Sequence, residues 1–244
     1  MLIGTGDPEE RADRAPTVDS LDTDSLTLPE VSVLQVICEI DTVGMCEMLP
    51  PALHPTLPPA VSWLVYDCPE TPWGPMRLAQ TRIECRSGTR PRGLLSHAIC
   101  NNEPAALALG QRWAYSVGAG EIDFRRSYDE VQCRVHLEDE TVLQIGMRNP
   151  QVLAAGYIQF VAGMHPAHTP KGYRLLQCDP THAETESEYG SPIVEEFEPD
   201  VWGDGRIDPV YPVSAAFCKA EITLPKLRFM CRPGEMAFLG TERV

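Results

Sequence analysis

The residues that could do chemistry in this sequence gather around positions 109–120, Leu-Gly-Gln-Arg-Trp-Ala-Tyr-Ser-Val-Gly-Ala-Gly. Three glycines there let the backbone turn sharply and approach a ligand closely. Arg112 offers a fixed charge that can clamp a carboxylate or an enolate through paired hydrogen bonds. Tyr115 can donate to a developing oxyanion, Trp113 supplies an apolar wall, and Gln111 adds an amide. Upstream, His97 titrates near neutral pH and is the best-placed general acid or base, with Glu84 as the alternative base. Arg77 and Gln80 lie on a long strand-like stretch and would complete the grip on an acid. The expected assignment is therefore Arg112, Tyr115, His97 and Glu84 as catalytic groups, with Arg77, Gln80, Trp113 and Gln111 binding the substrate.

Other constellations are weaker. His165-Pro166-Ala167-His168, with Asp179 and His182 downstream, has a spacing seen in some metal sites. The intervening proline and the loop composition leave its geometry open, and no metal is expected. Glu195-Glu196-Phe197-Glu198 reads as a solvated edge, since clustered carboxylates repel one another. There is no glycine-rich phosphate loop, no dinucleotide fingerprint and no Gly-x-Ser-x-Gly elbow, so no cofactor is expected.

The chain has 244 residues, 43% of them hydrophobic, and a formal charge of −15. That length can bury a substantial core. Such an acidic chain repels nucleic acid and anionic membranes, so the expected partner is a small-molecule substrate. Nine scattered cysteines without a Cys-x-x-Cys pair, no signal-peptide pattern and no long apolar stretch lead to the expectation of a reduced cytoplasmic protein.

Those side chains need elements to hold them. Residues 1–29 lack apolar periodicity and are expected as an acidic, flexible tail before a single domain at 30–244. Residues 31–40 read as a strand, Asp41 as the N-cap of a short helix over 42–49, and 60–66 as a second strand. Residues 76–86 form a long strand in which Arg77, Ala79, Thr81, Ile83 and Cys85 face away from Met76, Leu78, Gln80, Arg82 and Glu84. A return strand over 94–100 leads to a helix over 103–109. Strands over 122–127, 130–137 and 141–147 form an antiparallel meander, and 151–157 reads as a helix. Further strands are expected over 173–178, 193–197, 214–223 and 227–231. Many hairpins and few helices point to an α+β domain built on one large antiparallel sheet, closed into a cone-like barrel.

The order of these pieces resembles the acetoacetate decarboxylase-like superfamily. Residues 36–51, Val-Ile-Cys-Glu-Ile-Asp-Thr-Val-Gly-Met-Cys-Glu-Met-Leu-Pro-Pro, are similar to its strand, Asp-capped helix and Leu-Pro exit. Gly74-Pro75-Met76-Arg77-Leu78 resembles its Gly-Pro-Tyr-x-Glu segment. Residues 103–112 resemble the helix that ends in Gly-Arg-Glu, and 220–225 echo its closing strand. The resemblance implies a cone-shaped barrel, an interior pocket for a small keto acid and a tendency to homo-oligomerise. It also implies a lysine, after Trp-Gly-Phe-Pro, that forms a Schiff base with the ketone.

The chemical centre departs from that pattern. Gly118 or Val117, depending on alignment, falls at the lysine position. The two family glutamates fall on Leu78 and Arg112. The expectation is an enzyme without the catalytic lysine, acting on a β-keto or other enolisable small molecule by lyase, hydratase or proton-transfer chemistry. A non-catalytic binding or scaffold protein on the same fold is the alternative, and rescue by Lys219 or Lys226 a third.

Overall fold

Apolar alternation gives the sheet two buried faces. Strand β1 (Leu26–Ile40) sends Leu34, Val36, Cys38 and Ile40 into one core and Val31 and Val33 into another. A computed structural model describes residues 2–244. After β1 come β2 (His54–Pro55), β3 (Ala60–Cys68), β4 (Met76–Ser87) and β5 (Arg90–Cys100), then helix α1 (Glu103–Trp113). The second half holds β6 (Val117–Ala119), β7 (Glu121–Arg126), β8 (Glu130–Leu137), β9 (Glu140–Leu153), β10 (Ala162–Thr169) and β11 (Gly172–Cys178). It ends with β12 (Thr181–Phe197), β13 (Pro209–Leu224), β14 (Phe229–Cys231), the single-turn α2 (Ala237–Gly240) and β15 (Thr241–Arg243).

All fifteen strands join one sheet, ordered β15-β14-β11-β10-β5-β4-β3-β1-β13-β12-β9-β8-β7, with β2 on β4 and β6 on β5. Pairing is antiparallel except where β5 meets β6 and β10. The expected meander is present as β7, β8 and β9.

The expected closed barrel is not formed: the ladder is open, with ends at β7 and β15. The chain itself spans the place where closure would occur. β6 pairs with β5 and β7 with β8, and the ladder does not continue between β6 and β7. The change of partner falls at Gly120, where a Cβ would lie 2.6 Å from Ile99 and 2.8 Å from Leu137. A side-chain bond stands in for the missing ladder, Arg77 Nη1 donating to the Ile122 carbonyl at 2.9 Å.

Local expectations fail where one residue breaks a pattern. Asp41 does accept from the Val43 amide at 3.1 Å, but Gly44 sits at φ +75°, so 42–49 is a run of turns rather than a helix. Residues 151–153 continue β9, because Gln151 and Leu153 pair with Tyr189 and Ser187 of β12. Helix α1 runs four residues beyond the expected end, absorbing Gly110 to Trp113.

The domain boundary set at 29/30 falls inside β1. Before it, residues 2–25 lie along the domain: Gly4 N–H donates to the Leu53 carbonyl at 2.9 Å, and Val18 is fully buried beside β10. Arg11 pairs with Asp204 at 2.5 Å and Arg206 with Glu10 at 2.7 Å. Val18 is the apolar anchor that reading for periodicity passes over.

Helix α1 starts at Asn102, whose side-chain oxygen accepts from the Ala105 amide at 3.0 Å. Its amide nitrogen donates to the Trp73 and Pro75 carbonyls at 3.0 and 3.1 Å. Asn102→Ala removes the cap and the tie to the preceding loop together. It should lower unfolding stability by about 2 kcal/mol, read as an earlier urea midpoint with unchanged slope.

Candidate active site

The alternation in β4 holds as the sequence implies. Ala79, Ile83 and Cys85 enter the first core, while Met76 and Leu78 enter the second, beneath α1. Gln80 and Arg82 continue the second face, and there it turns polar. Arg82 is 2% exposed and Gln80 0%. Arg82 Nε donates to Gln80 Oε1 at 3.1 Å and Nη1 to the Val161 carbonyl at 3.0 Å. Nη2 has no partner, and Arg82 makes no ion pair among the described residues. The next acid on this face, Glu84, is engaged by the Ser62 hydroxyl at 2.5 Å. A guanidinium stays protonated at any physiological pH, so a cation without an ion pair sits inside the fold, its charge felt by the Glu84 carboxyl.

Three further buried atoms surround it without partners: Gln80 Nε2, His165 Nε2 and His182 Nε2. His165, on β10, is fully buried, with Nδ1 2.7 Å from the Trp113 carbonyl and its ring edge-on to Tyr115 at 4.5 Å. His182, on β12, stacks on Phe160 at 3.9 Å. Burial first, and the Arg82 charge second, push His165 down to about 3 and His182 to about 4. Both imidazoles are therefore neutral at pH 7. Burial raises the Tyr115 phenol well above its ordinary value and takes Tyr66 to about 12, against the opposing Arg82 charge.

The segment between β9 and β10 roofs this cluster. Its Gln159 carbonyl accepts from Gln35 at 3.3 Å, its Val161 carbonyl from Arg82, and Ile158 is buried. Beside the cluster is a cavity of ≈ 20 Å³ whose walls include Leu28, Leu78, Leu109 and Leu224 as well as Tyr66 and Tyr115. Those two tyrosines connect the polar cluster to an apolar space about the size of one small group.

The eight expected site residues do not converge. Tyr115 and Gln80 belong to the Arg82 cluster. Glu84 shares its strand face, and burial raises its carboxyl. Trp113 is fully buried, its indole donating to the Pro225 carbonyl at 2.8 Å, and it serves the site through its own carbonyl. Arg112 turns away, donating to the Asp24 carbonyl at 3.0 Å and lying over Trp113. Arg77 faces the other side of β4, held by Asp67 at 2.8 Å. His97 and Gln111 line a separate open groove of ≈ 890 Å³ on the outer side of α1, which touches the cluster only through Tyr115. His97 meets the Ser116 hydroxyl at 3.2 Å, and burial, then Arg14, lowers it to about 4.

His165 and His168 occupy the buried and exposed sides of β10, so they do not form a pair on one face. Arg82, His165, His182 and Tyr66 were absent from the expected set. The available signal for Arg82 was its place, two residues from Gln80, on the apolar face of a strand.

The family model described as Acetoacetate decarboxylase (ADC) matches residues 15–156. The chain belongs to the acetoacetate decarboxylase family. Solved structures agree on the fold. An acetoacetate decarboxylase from Legionella pneumophila subsp. pneumophila str. Philadelphia 1 superposes with a TM-score of 0.72 at 14% identity, covering 88% of each chain. The enduracididine biosynthesis enzyme MppR, complexed with pyruvate, gives 0.65 at 14% identity over 82% of this chain and 87% of its own. An acetoacetate decarboxylase-like enzyme from Sphingomonas wittichii RW1 gives 0.63 at 15% identity over 92% and 95%. No curated protein matches the sequence.

Leu78 lines the apolar cavity. Gly118 directs its missing side chain at His97, 3.0 Å from Nε2. The chain's three lysines are all exposed: Lys219 pairs with Glu186, Lys226 with Asp24, and Lys171 donates to the Arg243 carbonyl.

The depressed histidines fix a pH dependence. Unfolded histidines take up protons below about 6.5, whereas His97, His165 and His182 stay neutral in the fold until about 4 or below. Their contribution to stability is complete above the unfolded value and is lost as pH falls through this window. Glu84 works in the opposite sense, as the lone carboxyl shifted upward among the described residues. The melting temperature should therefore fall steadily between pH 6.5 and 4 in a thermal-shift titration. A flat profile would contradict three neutral interior imidazoles.

Proposed function

We propose that this chain is a lysine-independent enzyme of the acetoacetate decarboxylase family, acting on a small enolisable carboxylic acid whose carboxylate or enolate oxygen is gripped by Arg82. The observation that carries this reading is the buried guanidinium without an ion pair and with Nη2 free. An unpaired interior cation is costly to maintain and strongly favours an anion beside it. Gln80 Nε2 adds a second unused donor on the same strand face. The adjoining cavity favours a short apolar end on the ligand, about a methyl or ethyl group. A relative of the same fold, MppR, has been seen with pyruvate, a ligand of this chemical class.

Schiff-base chemistry has no residue to perform it here, since all three lysines are at the surface. What remains is proton transfer next to a carbonyl, with the developing oxyanion held by Arg82 and Gln80 in a dry site. Entry requires the roof to lift, since the Val161 carbonyl occupies Nη1.

A binding protein without turnover is the second reading, favoured by Leu78 standing where the family has a glutamate. Thermal-shift measurements against pyruvate, 2-oxobutanoate and acetoacetate test the anchor. At least one acid should raise the wild-type melting temperature by several degrees. Arg82→Gln should abolish that rise while Arg112→Ala leaves it intact. Loss of the rise in Arg112→Ala alone would move the site to the loop. Borohydride should trap none of these acids on the protein.

A further inference from the structure

The polar cluster contains an atom that the anchor leaves unused. His165 Nδ1 lies 2.7 Å from the Trp113 carbonyl, which can only accept. Nδ1 therefore carries the ring hydrogen, and Nε2 presents a bare lone pair with no partner in the interior. The carbonyl is available because α1 stops there. Ala114 adopts the left-handed region at φ +58° and turns its own N–H back to the Gly110 carbonyl. Gly163 packs directly against Nε2, where any Cβ would sit 2.2 Å from that nitrogen, so only a glycine there leaves room for the imidazole. Helix end and tautomer thus agree on one acceptor without a partner.

We propose that His165 is the proton-transfer base of this site, its Nε2 taking a proton from the carbon next to the carbonyl of an acid anchored at Arg82. The inference rests on the reading of Arg82 as the anion anchor. In the step, Nε2 accepts the proton and the C–H electron pair becomes the C=C bond. The carbonyl π electrons move onto oxygen, where the free donors of Arg82 and Gln80 hold the enolate. Return of the proton from Nε2 to carbon restores the substrate, and no oxidant or co-reactant is consumed. The neighbouring charge makes the base conditional. Burial and the Arg82 cation both disfavour the imidazolium in the empty site; a bound carboxylate neutralises the cation and removes the second of these. Basicity therefore rises when the substrate arrives.

Other candidates fit less well. Burial raises both the Tyr115 phenol and the Cys178 thiol and keeps them protonated. Glu84 is engaged by Ser62. His182 Nε2 also lacks a partner, so His182 serves as the comparator.

The test is solvent exchange at C3 of 2-oxobutanoate in D2O, followed by proton NMR, with binding of the same acid measured by thermal shift. Wild type should bind and exchange. His165→Asn keeps a donor for the Trp113 carbonyl and should bind comparably while exchanging about 100-fold or more slowly. His182→Asn should lose less than tenfold. Binding without exchange in the wild type, or equal exchange in His165→Asn, overturns the base and leaves the anchor standing. No binding by the wild type overturns both. Should His165→Asn fail to fold, ring-nitrogen NMR of the wild type decides: Nδ1–H with bare Nε2 supports the assignment, and the opposite tautomer overturns it.

Discussion

An arginine buried without a counter-ion is the constraint around which this interior is arranged. Arg82 lies near the centre of the sheet, on a strand flanked by β3 and β5, with no ion pair among the described residues, although the Glu84 carboxyl two residues along feels its charge. The surrounding groups are those that tolerate a cation while staying neutral: two histidines, two tyrosines, a glutamine and the carbonyls of the roof. Gly93 of β5 makes the same accommodation, since a Cβ there would lie 3.0 Å from the Arg82 stem. A fully apolar replacement would pack more cheaply. The cost is intelligible if the site waits for an anion.

The stretch at 109–120 contributes in a way its side chains do not advertise. Its arginine points outward, its tryptophan is packing, and the Gly118 side-chain direction leads to the outer groove. What it supplies is a helix end. By stopping α1 at Trp113 it releases a carbonyl to His165 and places Tyr115 as the wall between the buried cluster and the open groove.

Much of this arrangement was legible in the sequence. Alternation in β4 sorted Gln80, Arg82 and Glu84 onto one face and Arg77 onto the other, because a period of two admits no third option. The family followed from motifs spread along the chain, whereas β10, which carries His165, was not among the expected strands. Depth could not be read in the same way. Arg77 and Arg82 are the same residue type on one strand, and only tertiary contacts make one a surface ion pair and the other an interior charge. His165 was equally opaque, since its partner is a backbone carbonyl 52 residues away. That the ladder stays open, with β6 on β5 and β7 on β8, is likewise set by tertiary pairing that composition does not encode.

The most direct test is a crystal structure with 2-oxobutanoate bound. The ligand should lie under the roof segment, an oxygen within hydrogen-bond distance of Arg82 Nη2, its C3 toward His165 Nε2 and its terminal methyl toward Leu78. A ligand seated instead in the groove beside His97 and Gln111, with the Arg82 cluster unchanged, would contradict the account.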